Sequence, residues 1–171
     1  MQMVKKILFF IFIVWLGFLI LMPKSELYYA VEKALDKEDI RINERNIQEG
    51  IFSLNIDDLD IYVKGIYMAH VKKITCFTLL FYTNIEIEDI VVDDLFKDKI
   101  PESIDNLVMH HNILSPLKVS LDANGSFGLI KGNISLLSKK VHLDFVEPKE
   151  ISKVKMFLQK GKKGWFYEKS F

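Results

Sequence analysis

The chain has 171 residues, 23 basic and 23 acidic side chains, and a formal net charge of zero. A balance with no basic stripe argues against a nucleic-acid groove, so no direct nucleic-acid binding is expected. The single cysteine, Cys76, can form no internal disulfide.

Residues Ile7 to Met22 form an unbroken apolar run behind Lys5 and Lys6. Sixteen helical residues rise roughly 24 Å, slightly less than a hydrocarbon core of about 30 Å. Met3 and Val4 extend the run, and the two lysines can snorkel. Trp15 lies mid-run, away from an interfacial belt position. A cleaved signal peptide is the alternative, and a buried helix of a soluble protein is the third. The exit Leu21-Met22-Pro23-Lys24-Ser25-Glu26 offers no small-x-small cleavage site, which favours a retained transmembrane anchor. Residues 1–24 are therefore read as cytoplasmic start and anchor, and residues 25–171 as one domain. Basic charge before the run keeps the N-terminus in the cytoplasm. The expected location is the cell inner membrane, single-pass, with the domain in the periplasm. Lys24, Lys33 and Lys37 beyond the run weaken that bias. Setting aside Lys5 and Lys6 leaves 21 basic against 23 acidic side chains, a charge of −2 for everything that follows them. Arg41 and Arg45 are the only arginines, a bias typical of an AT-rich genome.

Pro23 ends the first helix and Ser25 can cap a second. Leu27, Val31, Ala34 and Leu35 recur at helical spacing, which predicts an amphipathic juxtamembrane helix over 25–37. Tyr28 and Tyr29 fall near headgroup level in that reading.

From about residue 40 the period becomes two. Phe52, Leu54 and Ile56 alternate with Ser53 and Asn55, and then Leu59, Ile61 and Val63 alternate with Asp60 and Tyr62. The apolar parity flips at Asp57-Asp58, which requires a bulge or tight turn there. Gly65 breaks the pattern, and residues 66–74 and 76–83 read as further strands. Ile85, Ile87 and Ile90 to Val92 continue it, with Glu86, Glu88 and Asp89 facing out. Ile104, Leu107 and Val108 share one face of a short helix predicted over 101–109. Residues 116–147 predict a three-stranded antiparallel meander turning at Asn124-Gly125 and Ser138-Lys139. Residues 149–160 suit a helix, and Gly161 and Gly164 bracket a basic turn before a last aromatic segment. The fold expected is mainly β with α: anchor, amphipathic helix, then a curved antiparallel sheet with one or two short helices.

No constellation carries chemistry. The acids Asp57, Asp58, Asp60, Glu86, Glu88, Asp89, Asp93 and Asp94 lack the loop spacing of a calcium site and read as solvent faces and turns. His70, His142 and the adjacent His110-His111 have no metal-ligand spacing, and Cys76 reads as a small buried hydrophobe. Gly125, Gly128 and Gly132 sit in strand context, without the Lys-Ser/Thr of a phosphate loop. No catalytic, cofactor-binding or metal residue is therefore assigned, and no cofactor is expected. The large apolar residues of 52–92 and 116–146 leave two outcomes open: a packed core or a lipid-sized groove.

The segments SELYYAVEKAL, GIFSLNIDDLDIYVKGI and DANGSFGLIKGNISLLSKKVHLDF, in that order after an apolar helix and a proline, resemble the type II secretion system protein N family. More distantly the layout resembles the AsmA-like envelope proteins, whose β-sheets curve into a trough. The resemblance implies a bitopic inner-membrane accessory or scaffold component of a type II secretion-like or DNA-uptake (transformation) machine. Its implied partners are the lipid bilayer and other secretion or pilus-like proteins. The AsmA-like side implies instead a protein that binds a lipid or acyl chain.

Overall fold

The computed structural model describes residues 2–21, 23–79, 82–162 and 164–171. Met22 at the end of the apolar run, residues 80 and 81 of the strand expected over 76–83, and Lys163 of the basic turn lie outside them.

The molecule is mainly β. Helices α1 (Gln2–Leu21) and α2 (Lys24–Asp36) precede ten strands. These are β1 (Ile40–Glu49), β2 (Ser53–Val63), β3 (Ile66–Leu79), β4 (Tyr82–Val92) and β5 (Ser103–Asn112), then β6 (Lys118–Gly125), β7 (Gly128–Ser135), β8 (Lys140–Pro148), β9 (Gln159–Gly161) and β10 (Gly164–Ser170). They form one antiparallel sheet in the order β1 to β8, then β10 and β9. Each strand up to β8 pairs with its sequence neighbour, so the turns alternate between two ends. Turns 50–52, 113–117 and 136–139 mark what we term the upper end.

The parity flip foreseen at Asp57-Asp58 is a kink within β2, which continues unbroken, and it crosses five strands. Asn46 pairs with Asp57 and Glu44 with Leu59, so Arg45 and Asp58 face each other without pairing. The same gap sets Asp58 against Lys72, Lys72 against Asp89, and Asp89 against Asp105. In β5 the row ends as a bulge. Ile104 pairs with Gly125 and Asn106 with Asn124, leaving nothing opposite Asp105. Asp58 and Asp89 sit at φ 52° and 51°, the left-handed region that Asp tolerates better than most residues. Arg45–Asp58 at 3.2 Å and Lys72–Asp89 at 2.9 Å close ion pairs along the row. Because every strand shifts at one level, Ile56 and Leu59 of β2 stay on one face although they are three residues apart.

That face holds two apolar clusters. Leu54, Ile56, Leu59 and Val71 form the first, with Tyr28 of α2 packed against it. Ala123, Phe127, Ile130 and Phe145 form the second, under Ile151, Val154 and Leu158.

Several expectations are corrected. Among the described residues no helix is long and apolar enough to cross a membrane. Helix α1 has 20 residues, but Lys5 and Lys6 lie within it, and the part from Ile7 to Leu21 rises only about 22 Å against about 30 Å of hydrocarbon. The transmembrane anchor is therefore not supported. Nor is the single-pass inner-membrane location, with cytoplasmic N-terminus and periplasmic domain, that depended on it. The helix expected over 101–109 is strand β5, because the bulge at Asp105 spaces Ile104 and Leu107 three apart as a helix would. The helix expected over 149–160 is a loose segment with one 3-10 turn, Lys155–Phe157, followed by β9. Residues 66–79 form one strand rather than parts of two. Asn124 and Gly125 lie in β6, paired with Leu129 and Gly128, and the turn is Ser126-Phe127. Gly128 there has φ 94°, and a Cβ would collide with the backbone of Glu147.

The kink gives a backbone test. Asp89→Val places a β-branched residue at positive φ and loses on the order of 1–3 kcal/mol. Asp89→Gly removes the same ion pair without the strain, so urea titration places it above the valine variant.

Candidate functional site

Helix α2 lies along β1 and is held there by carboxylates of that strand. Its N-cap position is Pro23, with no side-chain cap. Ser25, expected to cap it, lies inside the first turn. Glu49 of β1 substitutes from a distance: it accepts from the backbone N–H of Lys24 at 3.0 Å and of Ser25 at 3.3 Å, and from the Ser25 hydroxyl. An anion at a helix N-terminus is favoured by the exposed N–H groups and the dipole. The Ser25 hydroxyl, and then the Lys24 N–H, hold the Glu49 carboxyl below its ordinary range. One turn on, the Tyr28 hydroxyl donates to Glu44 at 3.0 Å. Burial, and then Glu44, push Tyr28 well above the ordinary phenol range. Tyr28 thus packs on the sheet rather than at a headgroup level.

Between α2 and the sheet lies an apolar trough of about 440 Å³. Leu27 and Val31 of α2 line one side. Leu54, Ile56, Ile74, Cys76, Ile85 and Ile87 of β2 to β4 form the floor, with Lys24 and Thr78 towards the upper end. The parity row makes this floor possible, since Leu59 and Ile61 continue it beyond Asp58. The volume falls within the usual range for small-molecule pockets, about 300–1,000 Å³. Leu27 and Val31 face the trough yet remain 48% and 56% exposed, so the cleft is open along its length. Of the two outcomes left open by the sequence, a packed core or a groove, this half of the sheet has a groove above a thin core.

The titratable residues examined in the sequence go elsewhere. His70 lies 2.8 Å from Asp60 and 3.7 Å from Asp58. His142 lies between Glu168 at 3.1 Å and Asp144 at 3.3 Å. His110 meets the Tyr82 hydroxyl, and His111 the Pro116 carbonyl, so the adjacent pair diverges. Glu86 accepts from Asn106, and Asp94 pairs with Lys97. Among the described residues no three His, Cys, Asp or Glu are placed to share a metal ion. Cys76 places a thiol in the trough floor. Burial pushes its thiol above the ordinary range, with Thr78 acting the other way.

Sequence reasoning missed Glu44 and Glu49. Their signal is faint: two acids on an edge strand whose neighbours on the same face are Ile42 and Ile47.

Cys76 reports on the trough. A raised thiol pKa means that the folded state holds the proton more tightly. Its contribution to stability is complete below the unfolded pKa, near 8.5, and is lost as pH rises through the folded value. Alkylation of native Cys76 at pH 7.5 should run slower than in urea-unfolded chain, and the two rates should converge at alkaline pH. Equal rates at pH 7.5 would show the floor to be open and solvated.

No family model, no curated protein and no solved structure matches this chain.

Proposed function

We propose that the protein is a binding module that holds a lipid acyl chain in the trough between α2 and strands β2 to β4. One observation carries this reading: an apolar cleft of about 440 Å³ whose α2 wall leaves Leu27 and Val31 half exposed. Burying that surface under a hydrocarbon chain is favourable at about 25 cal/mol per Å². Among the described residues none of the trough lining is acidic, and its polar members, Lys24 and Thr78, stand towards the upper end, where Lys24 Nζ lies 3.9 Å from Glu49. That polarity suits a chain lying along the floor with its polar head towards Lys24 and Thr78. The resemblance to AsmA-like proteins points the same way. The protein acts here as a carrier or sensor and not as a catalyst.

A second reading, an accessory scaffold of a secretion-like or DNA-uptake machine, is favoured by the open edge of the sheet. Among the described residues β1 pairs only with β2, which leaves a ten-residue edge for strand addition by a partner. Co-purification with a secretin or assembly-platform protein would support it. Normal secretion and transformation in a deletion strain would end it.

The acyl-chain reading is tested by native mass spectrometry of gently purified full-length protein and by titration with a fluorescent fatty acid. Bound lipid and saturable binding are expected. Ile85→Lys, which places a charge on the half-buried floor, should weaken binding at least tenfold, about 1.4 kcal/mol. Absence of both lipid and saturable binding would sink the reading.

A further inference from the structure

We infer that the upper end of the sheet is a docking surface for a lipid bilayer. The observation is an asymmetry between the two ends. Turns 50–52, 113–117 and 136–139 read GIF, ILSPL and LLSK, with no acid and a single charge, Lys139. The lower end, by contrast, is densely charged in its connections, with Glu38, Asp39, Asp93, Asp94, Asp98 and Glu102 among Lys37, Lys64, Lys97 and Lys99, and Leu95 as an exposed apolar residue between them. Apolar side chains stand out from these three turns: Ile51, Ile113, Leu114, Leu117, Leu136 and Leu137, with Leu114 at 92% and Leu137 at 78% exposure. Exposed leucines at the tips of adjacent turns cost hydration, and scattered surface hydrophobes do not line up in this way.

The turns are built to present these residues together. The Leu136 N–H donates to the Leu117 carbonyl at 2.8 Å, which ties two turns side by side. Ser115 and Ser138 are each held by local bonds to Asn112 and Ser135. The rim is thus one edge made of several tips, of a width suited to an extended planar partner. Lys118 and Lys139 flank the tips and are exposed. Apolar tips with a basic collar match an interface whose headgroups are anionic and whose interior is hydrocarbon. An apolar protein groove would match the leucines but not their spread from the 50–52 turn to the 136–139 turn. Helix α1, whose side chains from Met3 to Val14 are largely exposed, joins the fold at this same end, since α2 begins against Glu49 at the top of β1. The trough also reaches this end, at Lys24 and Thr78.

This inference stands on the turns and goes beyond the acyl-chain reading: a trough that never holds lipid would leave it intact. The test uses full-length protein carrying Cys76→Ser and one new cysteine, Leu114→Cys or Leu137→Cys at the upper end, or Leu95→Cys as lower-end control. Leu95 is 75% exposed, so all three positions accept a fluorophore without disturbing a core. Each labelled protein is mixed with phosphatidylcholine vesicles, with or without phosphatidylglycerol, containing doxyl-labelled lipid. We expect a blue shift and loss of emission at positions 114 and 137, larger with phosphatidylglycerol, and neither at 95. Three outcomes would overturn the inference: no vesicle binding, binding with unquenched upper probes, or equal quenching at both ends. The second also separates docking of the turns from attachment through α1 alone.

Discussion

The fold rests on a shortage of cover. Ten strands lie in one layer, and one face of that layer is apolar. A sheet of this kind normally buries such a face against a second sheet or a helical layer. Here the cover consists of α2 over one cluster and the loose 149–158 segment over the other. The trough is what remains between a short helix and a long sheet. The grip of Glu49 and Glu44 on α2 matters for the same reason. With little apolar contact to hold the helix, its position is set by polar bonds at Lys24, Ser25 and Tyr28.

The row from Arg45 to Asp105 is the second organising element. A parity change in one strand alone would throw half of its side chains onto the wrong face. Carried through five strands at one level, it keeps both halves of the sheet apolar on the same side. The charges alternate in sign over Arg45, Asp58, Lys72 and Asp89, so neighbours on the row attract. The acids that invite a calcium reading in the sequence are in part this structural line.

The strand content and the flip at Asp57-Asp58 were legible because alternation of apolar residues is a direct record of burial. The same flip is written between Val71 and Ile74 and between Ile87 and Ile90, and it could have been read there too. Two helices were misread for one physical reason. A bulge, or a one-sided irregular segment, spaces apolar residues three or four apart, as Ile104 to Leu107 and Ile151 to Val154 show. Asn124-Gly125 misled because glycine serves there for close approach rather than for turning: a Cβ on Gly125 would lie 2.9 Å from Ile104 Cα. The apolar run near the N-terminus was correct as a run, but Lys5 and Lys6 are helical residues, which shortens its uncharged length. A groove was one of two outcomes the sequence left open; the choice depends on how far α2 stands off β2 to β4, and no residue pattern encodes that distance.

The simple strand order has a consequence of its own. From β1 to β8 every new strand docks on the one just before it. Most ordering events therefore close short loops, which lowers their entropic cost. The architecture behaves as a row of hairpins with nearest-neighbour coupling, close in spirit to a solenoid. A hairpin inserted between β4 and β5 would fall between the two clusters without splitting either. The middle of the sheet is thus free to lengthen or shorten as an adjustable spacer between its two ends.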